Sequence, residues 1–330
     1  MKKSLLFPST MFFFFLITMN LNASVWRVNS SPGSSAHYSS IQDAHNAATT
    51  LNGDTLYIES CANGVGSLTA SKTLTIIGTG YFLGENPETQ ANALGSRINY
   101  IYFQSGSEGS KVMGCEIGQV RFYASNIFIT RCRIATTTNP SVGTYASNLS
   151  NLVVTQSHIS TLYYHWAAFN FSDASNVMVS NCYLFGSLNS NANFSGIFTH
   201  NVFNGNVNAH NSIYKNNILY SYNFTNNNSV FSYNIGSSTQ WGSSNGNQSN
   251  VDMGTVFVGA TGNSTDGQWQ LKANSPALGA GENGVDCGMF GGASPYILSG
   301  MPNIPAIYYL NTPMVPSDVI DVAIKTKSHN

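Results

Sequence analysis

Charge is what this sequence has least of. Its 330 residues include 13 Lys and Arg against 14 Asp and Glu, so 8% of the chain is charged, where an ordinary soluble domain carries about 25%. A formal net charge of −1 leaves no basic footprint, which excludes nucleic acid as a partner. Disorder is excluded as well, because disordered chains are poor in aromatics and 12% of this chain is Phe, Trp or Tyr. Small polar side chains stand where charge is missing, 40 of them Asn. Asn, Ser, Thr and Gly are weak helix formers, so a helical bundle is out and an all-β fold is expected. The five cysteines show no Cys-x-x-Cys or metal-type spacing, and neither a metal nor a cofactor is expected.

Long apolar runs are also scarce, with one exception at the start. Lys2 and Lys3 precede an apolar stretch from Leu5 to Met19, and Asn20-Leu21-Asn22-Ala23 ends on a small residue. That layout reads as a secretory signal over residues 1–23, cleaved after Ala23; a retained N-terminal anchor is the alternative, although the run is short for a bilayer span. Cleavage leaves 11 basic against 14 acidic residues, a net charge of −3. The expected product is secreted or held at the cell surface, monomeric, with no membrane span.

A repeat governs the middle of the chain. Taking Cys115, Cys132, Ser157, Cys182, Asn201, Asn217 and Asn234 as anchors, the gaps are 17, 25, 25, 19, 16 and 17 residues. Three positions before each anchor stand Val112, Ile129, Val154, Val179, Phe198, Tyr214 and Phe231. Two positions after stand Ile117, Ile134, Ile159, Leu184, Phe203, Leu219 and Gly236. Six positions before stand Gly109, Asn126, Asn151, Asn176, Ser195, Asn211 and Asn228. Residues two apart in a strand share a face, so Val177 and Val179 point one way, as do Cys182 and Leu184. The step of three from Val179 to Cys182 breaks that phase, which predicts a corner between two short strands with Gly114 or Asn181 in the left-handed conformation. Two short strands cannot bury a core alone, but stacked copies can. The reading is a parallel β-solenoid with rungs about 4.8 Å apart, in which Asn201, Asn217 and Asn234 form an inward polar ladder and Tyr183 falls on the outward alternation. Cys115, Cys132 and Cys182 take the same inward positions as small buried side chains; a disulfide between Cys115 and Cys132 is the alternative.

Lys72-Thr73-Leu74-Thr75-Ile76-Ile77-Gly78 resembles an early rung of the right-handed parallel β-helix, or pectin-lyase-like, superfamily. Tyr38 to Ala48 fits a short amphipathic helix with Ser39 as N-cap and Gln42 completing a capping box, and Asn52 to Ile58 reads as turn and strand. That sequence resembles the superfamily's N-terminal cap, which covers an apolar solenoid end. Asp266 to Leu271, Asn274 to Gly281, Asp286 to Gly292 and Pro295 to Gly300 resemble the closing segment of exported β-helix proteins of the Bacteroidetes. The resemblance implies a single right-handed β-helix with a capping helix: an N-terminal cap over residues 24–53, the helix over 54–260, and a C-terminal cap with a terminal strand over 261–330. Val319 to Lys325 alternates as one lone strand expected to dock on the body; a secretion signal is the other reading.

Enzymes of that superfamily gather charge: its lyases use Asp-rich calcium sites with a Lys or Arg base, and its hydrolases use paired carboxylates. Here the strands from Ser110 to Gly236 carry only Glu116 and Asp173 as acids, at unlike offsets. Arg131 and Arg133 flank inward Cys132 and are expected to face solvent together. The remaining candidates sit in the long gaps, where loops are expected from Thr136 to Thr144 and from Thr161 to Ser175. His165 with Asp173 is a candidate base and carboxylate, and Tyr163, Tyr164, His165 and Trp166 are candidate ligand contacts, a run able to stack on sugar rings. His158 lies nearby. The expectation is an exported, non-catalytic β-helix protein that binds polysaccharide or a cell-surface glycan, or is adhesive; the alternative is a polysaccharide lyase or glycoside hydrolase with an atypical site at His165 and Asp173.

Overall fold

A computed structural model of the chain describes residues 23–136, 140–161, 167–208, 210–220, 223–311 and 322–329. It is an all-β, solenoid-like stack of parallel strands. One sheet of ten strands runs from Val25–Val28 through Val177–Ser180 to Val230–Ser232, each strand beside its counterpart one rung away. A second sheet of thirteen strands carries the residues after each anchor. The register follows the repeat. Val112, Ile129, Val154, Val179, Phe198, Tyr214 and Phe231 pair in succession. So do Ile117, Ile134, Ile159, Leu184, Phe203, Leu219 and Gly236. All seven anchors are fully buried, and the five cysteines are free thiols.

The inward asparagines satisfy one another. The Asn201 Nδ2 donates to Asn217 Oδ1 at 3.0 Å, and the Asn217 Nδ2 donates to Asn234 Oδ1 at 2.9 Å. Each amide also donates to a strand carbonyl, Val179 O and Phe198 O respectively. The ladder runs one step further than the repeat indicated, to Asn247, whose Oδ1 accepts from Asn234. Every such bond matters because an unpaired buried amide costs about 1–3 kcal/mol.

The corner is left-handed in each of the seven anchored rungs. Gly114, Arg131, Gln156, Asn181, His200, Asn216 and Tyr233 precede the anchors with φ between 49° and 69°. Four of them are neither Gly nor Asn, a choice costing roughly 1 kcal/mol apiece; contacts with the returning chain, described below, meet Arg131, Gln156 and His200.

Five of the anchored rungs also have a third strand that the repeat did not reveal. Val120, Val142, Phe169, Leu188 and Val207 pair in series and are buried. Their distance from the preceding anchor varies between 5 and 12 residues, so no fixed offset exposes them. Consequently the segments expected as loops, Thr136 to Thr144 and Thr161 to Ser175, contain the strands Val142–Thr144 and Ala167–Phe171.

The capping helix is Ile41–Asn46, with Ser40 rather than Ser39 as its N-cap. Starting one residue later turns Ile41 and Ala44 into the core together. Gln42 does not close a capping box; its Oε1 accepts from Thr69 N at 2.8 Å and pins the helix to the first coils.

After the last rung the chain returns along the side of the stack. Gly288 N donates to Asn216 O, the Asn181 amide to Gly291 O, the Gln156 amide to Pro295 O and the Arg131 guanidinium to Met301 O. The strap therefore descends the column of left-handed corners, whose side chains hold it. Two of its glycines mark the closest approach. A Cβ on Gly292 would lie 2.8 Å from the His200 imidazole, and one on Gly300 would lie 2.2 Å from the Tyr81 ring. Arg131 is thus buried under the strap and not solvent-facing, because its Nη1 satisfies Met301 O and His329 O. The terminal strand is Ala323–Lys327, and it is not alone: it pairs antiparallel with Ala306–Asn311. All five of its residues are exposed. Residues 319–321 lie outside the described residues.

Candidate functional site

Of the sequence candidates, Tyr163, Tyr164, His165 and Trp166 lie outside the described residues. Asp173 does not. It follows Ala167–Phe171 in a left-handed turn with φ 48°. Its Oδ1 accepts from Asn193 Nδ2 at 2.7 Å and from Asn191 Nδ2 at 3.0 Å. These amides hold the carboxyl below its ordinary value, which makes it a poor proton acceptor near neutrality. Asp173 lines a polar recess of about 300 Å³ with Ser147, Asn148, Ser175 and Asn193. Glu116, the other acid of the strands, is held between Arg97 and Arg133. Among the described residues, no three His, Cys, Asp or Glu side chains converge as metal ligands would.

His158 is buried against Phe82 and Tyr183, ring centroids 5.4 and 4.7 Å away. Neither imidazole nitrogen has a hydrogen-bond partner among the described residues. Burial, with the Arg133 charge beside it, pushes its pKa down to about 3, so the ring is neutral at pH 7 and packs as a core residue.

The sheets' outer faces are the more informative surfaces. On the second sheet, the residues one after the anchors form the column Arg133, His158, Tyr183, Val202, Ile218 and Ile235. From His158 onward it is buried. Trp269 stacks on Tyr183 at 4.4 Å, and Met253, Ala277 and Met289 join the same cluster. Tyr183 does point outward from the coil, but the returning chain covers it, leaving 6% exposed.

On the first sheet nothing among the described residues covers the equivalent face. Phe128, Val153, Met178, Ile197, Ile213 and Val230 form one column in register. Phe128, Met178, Ile213 and Val230 are 38%, 41%, 44% and 64% exposed. Beside it runs a polar column of Thr130, Thr155, Ser180, Thr199, Lys215 and Ser232. Thr155 donates to Thr130 at 3.0 Å, so hydroxyls link from rung to rung. Lys215, the one charge within these two columns, is committed to Glu282 at 2.9 Å. At the early rungs the face deepens into a groove of about 410 Å³ floored by Ile77, Met113, Phe128 and Val153 and edged by Asn303. An apolar stripe at strand positions −4 from the anchors was readable in the sequence; what hid it was not knowing which outward face the rest of the chain would cover. No family model, curated protein or solved structure matches this chain.

Proposed function

We propose that this chain is an exported, non-catalytic, right-handed parallel β-helix of the pectin-lyase-like type that binds a neutral glycan polymer along the outer face of its first sheet. The carrying observation is the pair of uncovered columns, Phe128 to Val230 and Thr130 to Ser232, apolar beside hydroxyl and repeated at rung spacing, whose one charge, Lys215, is paired with Glu282. A sugar chain is amphipathic in the same way, with C–H faces to lie on side chains such as Phe128 and Met178 and hydroxyls to meet Thr130, Thr155 and Thr199. Contiguous exposed apolar surface marks an interaction site. From Phe128, beside the exposed Lys111 that ends the apolar column, to Val230 the face spans five rung steps, about 24 Å, and a strand length of three residues, roughly 10 Å. That is about 240 Å² per partner, well short of the ~800 Å² of a stable protein interface, and suits a thin linear ligand better than a folded protein. Asp173, clamped by amides, fits hydroxyl binding at the rim better than proton transfer.

The test is retention of the chain without residues 1–23 on immobilised neutral polysaccharides, run beside an assay for an unsaturated product absorbing in the near ultraviolet. Retention without product, weakened by Phe128→Ser, supports the reading. Product that disappears in His165→Ala or Asp173→Asn replaces it with a lyase.

A further inference from the structure

A second recess lies on another side of the molecule, at a seam where three segments far apart in sequence meet. Its volume is about 430 Å³, at the small end of the roughly 300–1,000 Å³ of ligand sites. The loop at Pro87 and Glu88 forms one wall, the strap at Phe290 and Tyr296 the second, and Lys327 with His329 the third. The aromatic wall is preorganised. Tyr296 is fixed by its hydroxyl, 2.7 Å from that of Tyr81 and donating to Asp266 at 3.2 Å, and Phe290 stands edge-on to it at 5.5 Å.

The polar side of the recess is neutral. His329 Nε2 is buried and has no hydrogen-bond partner among the described residues. Burial and the Lys327 charge hold its pKa below the ordinary value, so the ring can donate or accept without carrying charge at pH 7. Gln270 adds a side-chain amide to the lining. Lys327 and Glu88, 2.7 Å apart, cancel each other.

A buried nitrogen without a partner, beside rigid rings and balanced charges, is what an amphipathic ligand would complete. We propose that this recess binds one neutral ring carrying hydroxyl groups, its apolar face on Tyr296 and Phe290 and a hydroxyl on His329 Nε2. Because Lys327 and His329 are one wall, occupancy also fastens the strand Ala323–Lys327 to the body. The site does not share a residue with the first-sheet face, so either reading can fail without the other.

Two neutral rings separate the possible sources of this chemistry: methyl β-glucopyranoside, a sugar, and 4-hydroxyphenylethanol, an aromatic alcohol. Glucuronate serves as the charged control. Saturation-transfer NMR on the chain without residues 1–23 should detect binding of at least one neutral probe, and whichever binds assigns the source. Amide hydrogen exchange over residues 323–329 should slow on its addition. His329→Ala should weaken binding roughly tenfold, the loss of about one buried hydrogen bond, whereas Phe128→Ser should leave it unchanged. The proposal is overturned if neither neutral probe binds a chain of unaltered circular dichroism, or if glucuronate binds as tightly. It also fails if His329→Ala and Gln270→Ala both bind as the unsubstituted chain does.

Discussion

Met178 and Tyr183 lie in the same rung, on either side of the anchor Cys182, and both point away from the coil. Tyr183 is 6% exposed and Met178 is 41% exposed. The difference comes from neither strand. It comes from residues more than 80 positions later, where Trp269 and the strap cover one outward column and leave the other bare. Where an apolar column has no use outside, the chain spends its own C-terminal segment covering it. The first-sheet column, equally regular and apolar, is left uncovered by the described residues, and the binding proposal rests on this asymmetry.

The largest expected effect tests the covered side. Tyr183→Ala should lower stability by about 3–5 kcal/mol, the range for deleting a large buried aromatic, and chemical denaturation would measure it. A loss below about 1 kcal/mol would mean that Trp269 and the strap do not pack on this column in solution.

Acid should act on the same side. The His158 pKa is about 3 in the folded chain against about 6.5 for an unfolded histidine. Between those values the unfolded state binds more protons. Stability therefore falls as pH drops below about 6.5, by at most ~1.4 kcal/mol per pH unit, and this contribution is fully present above it. Asp173 and Asp54, whose values are lowered, also lose stability in acid, at the lower end of that window. The informative quantity is thus the difference between the parent chain and His158→Phe, which should have a flatter profile from pH 6.5 to 5. Parallel profiles would place His158 in contact with water and reopen the covered column.

A smaller effect is expected where the strap is pinned. Asp266 is buried and accepts from Asn86 Nδ2, Ser264 Oγ, Tyr296 OH and Ser299 N. Asp266→Asn retains one acceptor oxygen and sets an NH₂ against the donors on the other, costing about 2 kcal/mol. Hydrogen exchange should quicken along residues 288–301 and leave the first sheet unchanged. If both regions quicken together, strap and coil unfold as one unit and the distinction between them is structural only.

How much of this was legible depends on which contacts are local. Val179, Cys182 and Leu184 declared the coil, because alternation and a phase break are properties of ten consecutive residues. Asn217 declared the ladder for the same reason, its partners recurring at nearly constant spacing. Gln156 and His200 could not be recognised as corners, since neither favours the left-handed region and the contacts at both come from a strap far along the chain. The third strand escaped because insertions of different length separate Val142 and Phe169 from their anchors. Arg131 was misplaced because its neighbours in sequence gave no sign of Met301. In sequence Asp173 stands as the carboxylate partner of His165, but the amides of Asn191 and Asn193 that decide its chemistry lie 18 and 20 residues away.

The smallest stability effect carries the most functional weight. Ile213 lies in the bare column, 44% exposed, between Ile197 and Val230. Ile213→Ser removes no buried contact of consequence, so the melt should move by no more than a surface substitution does, within about 0.5 kcal/mol. If a sugar chain lies along this face, the same change removes one apolar step in the middle of the stripe and puts a hydroxyl in its place, and retention on a neutral polysaccharide should fall. A large loss of stability instead would mean that Ile213 is covered in the folded chain, by a second copy or by residues outside those described, and the two outer faces would then be alike. Unchanged stability with unchanged retention would move the binding site elsewhere, with the polar recess at Asp173 next in line. Only unchanged stability with lost retention preserves the contrast between a face the chain keeps for itself and a face it leaves open.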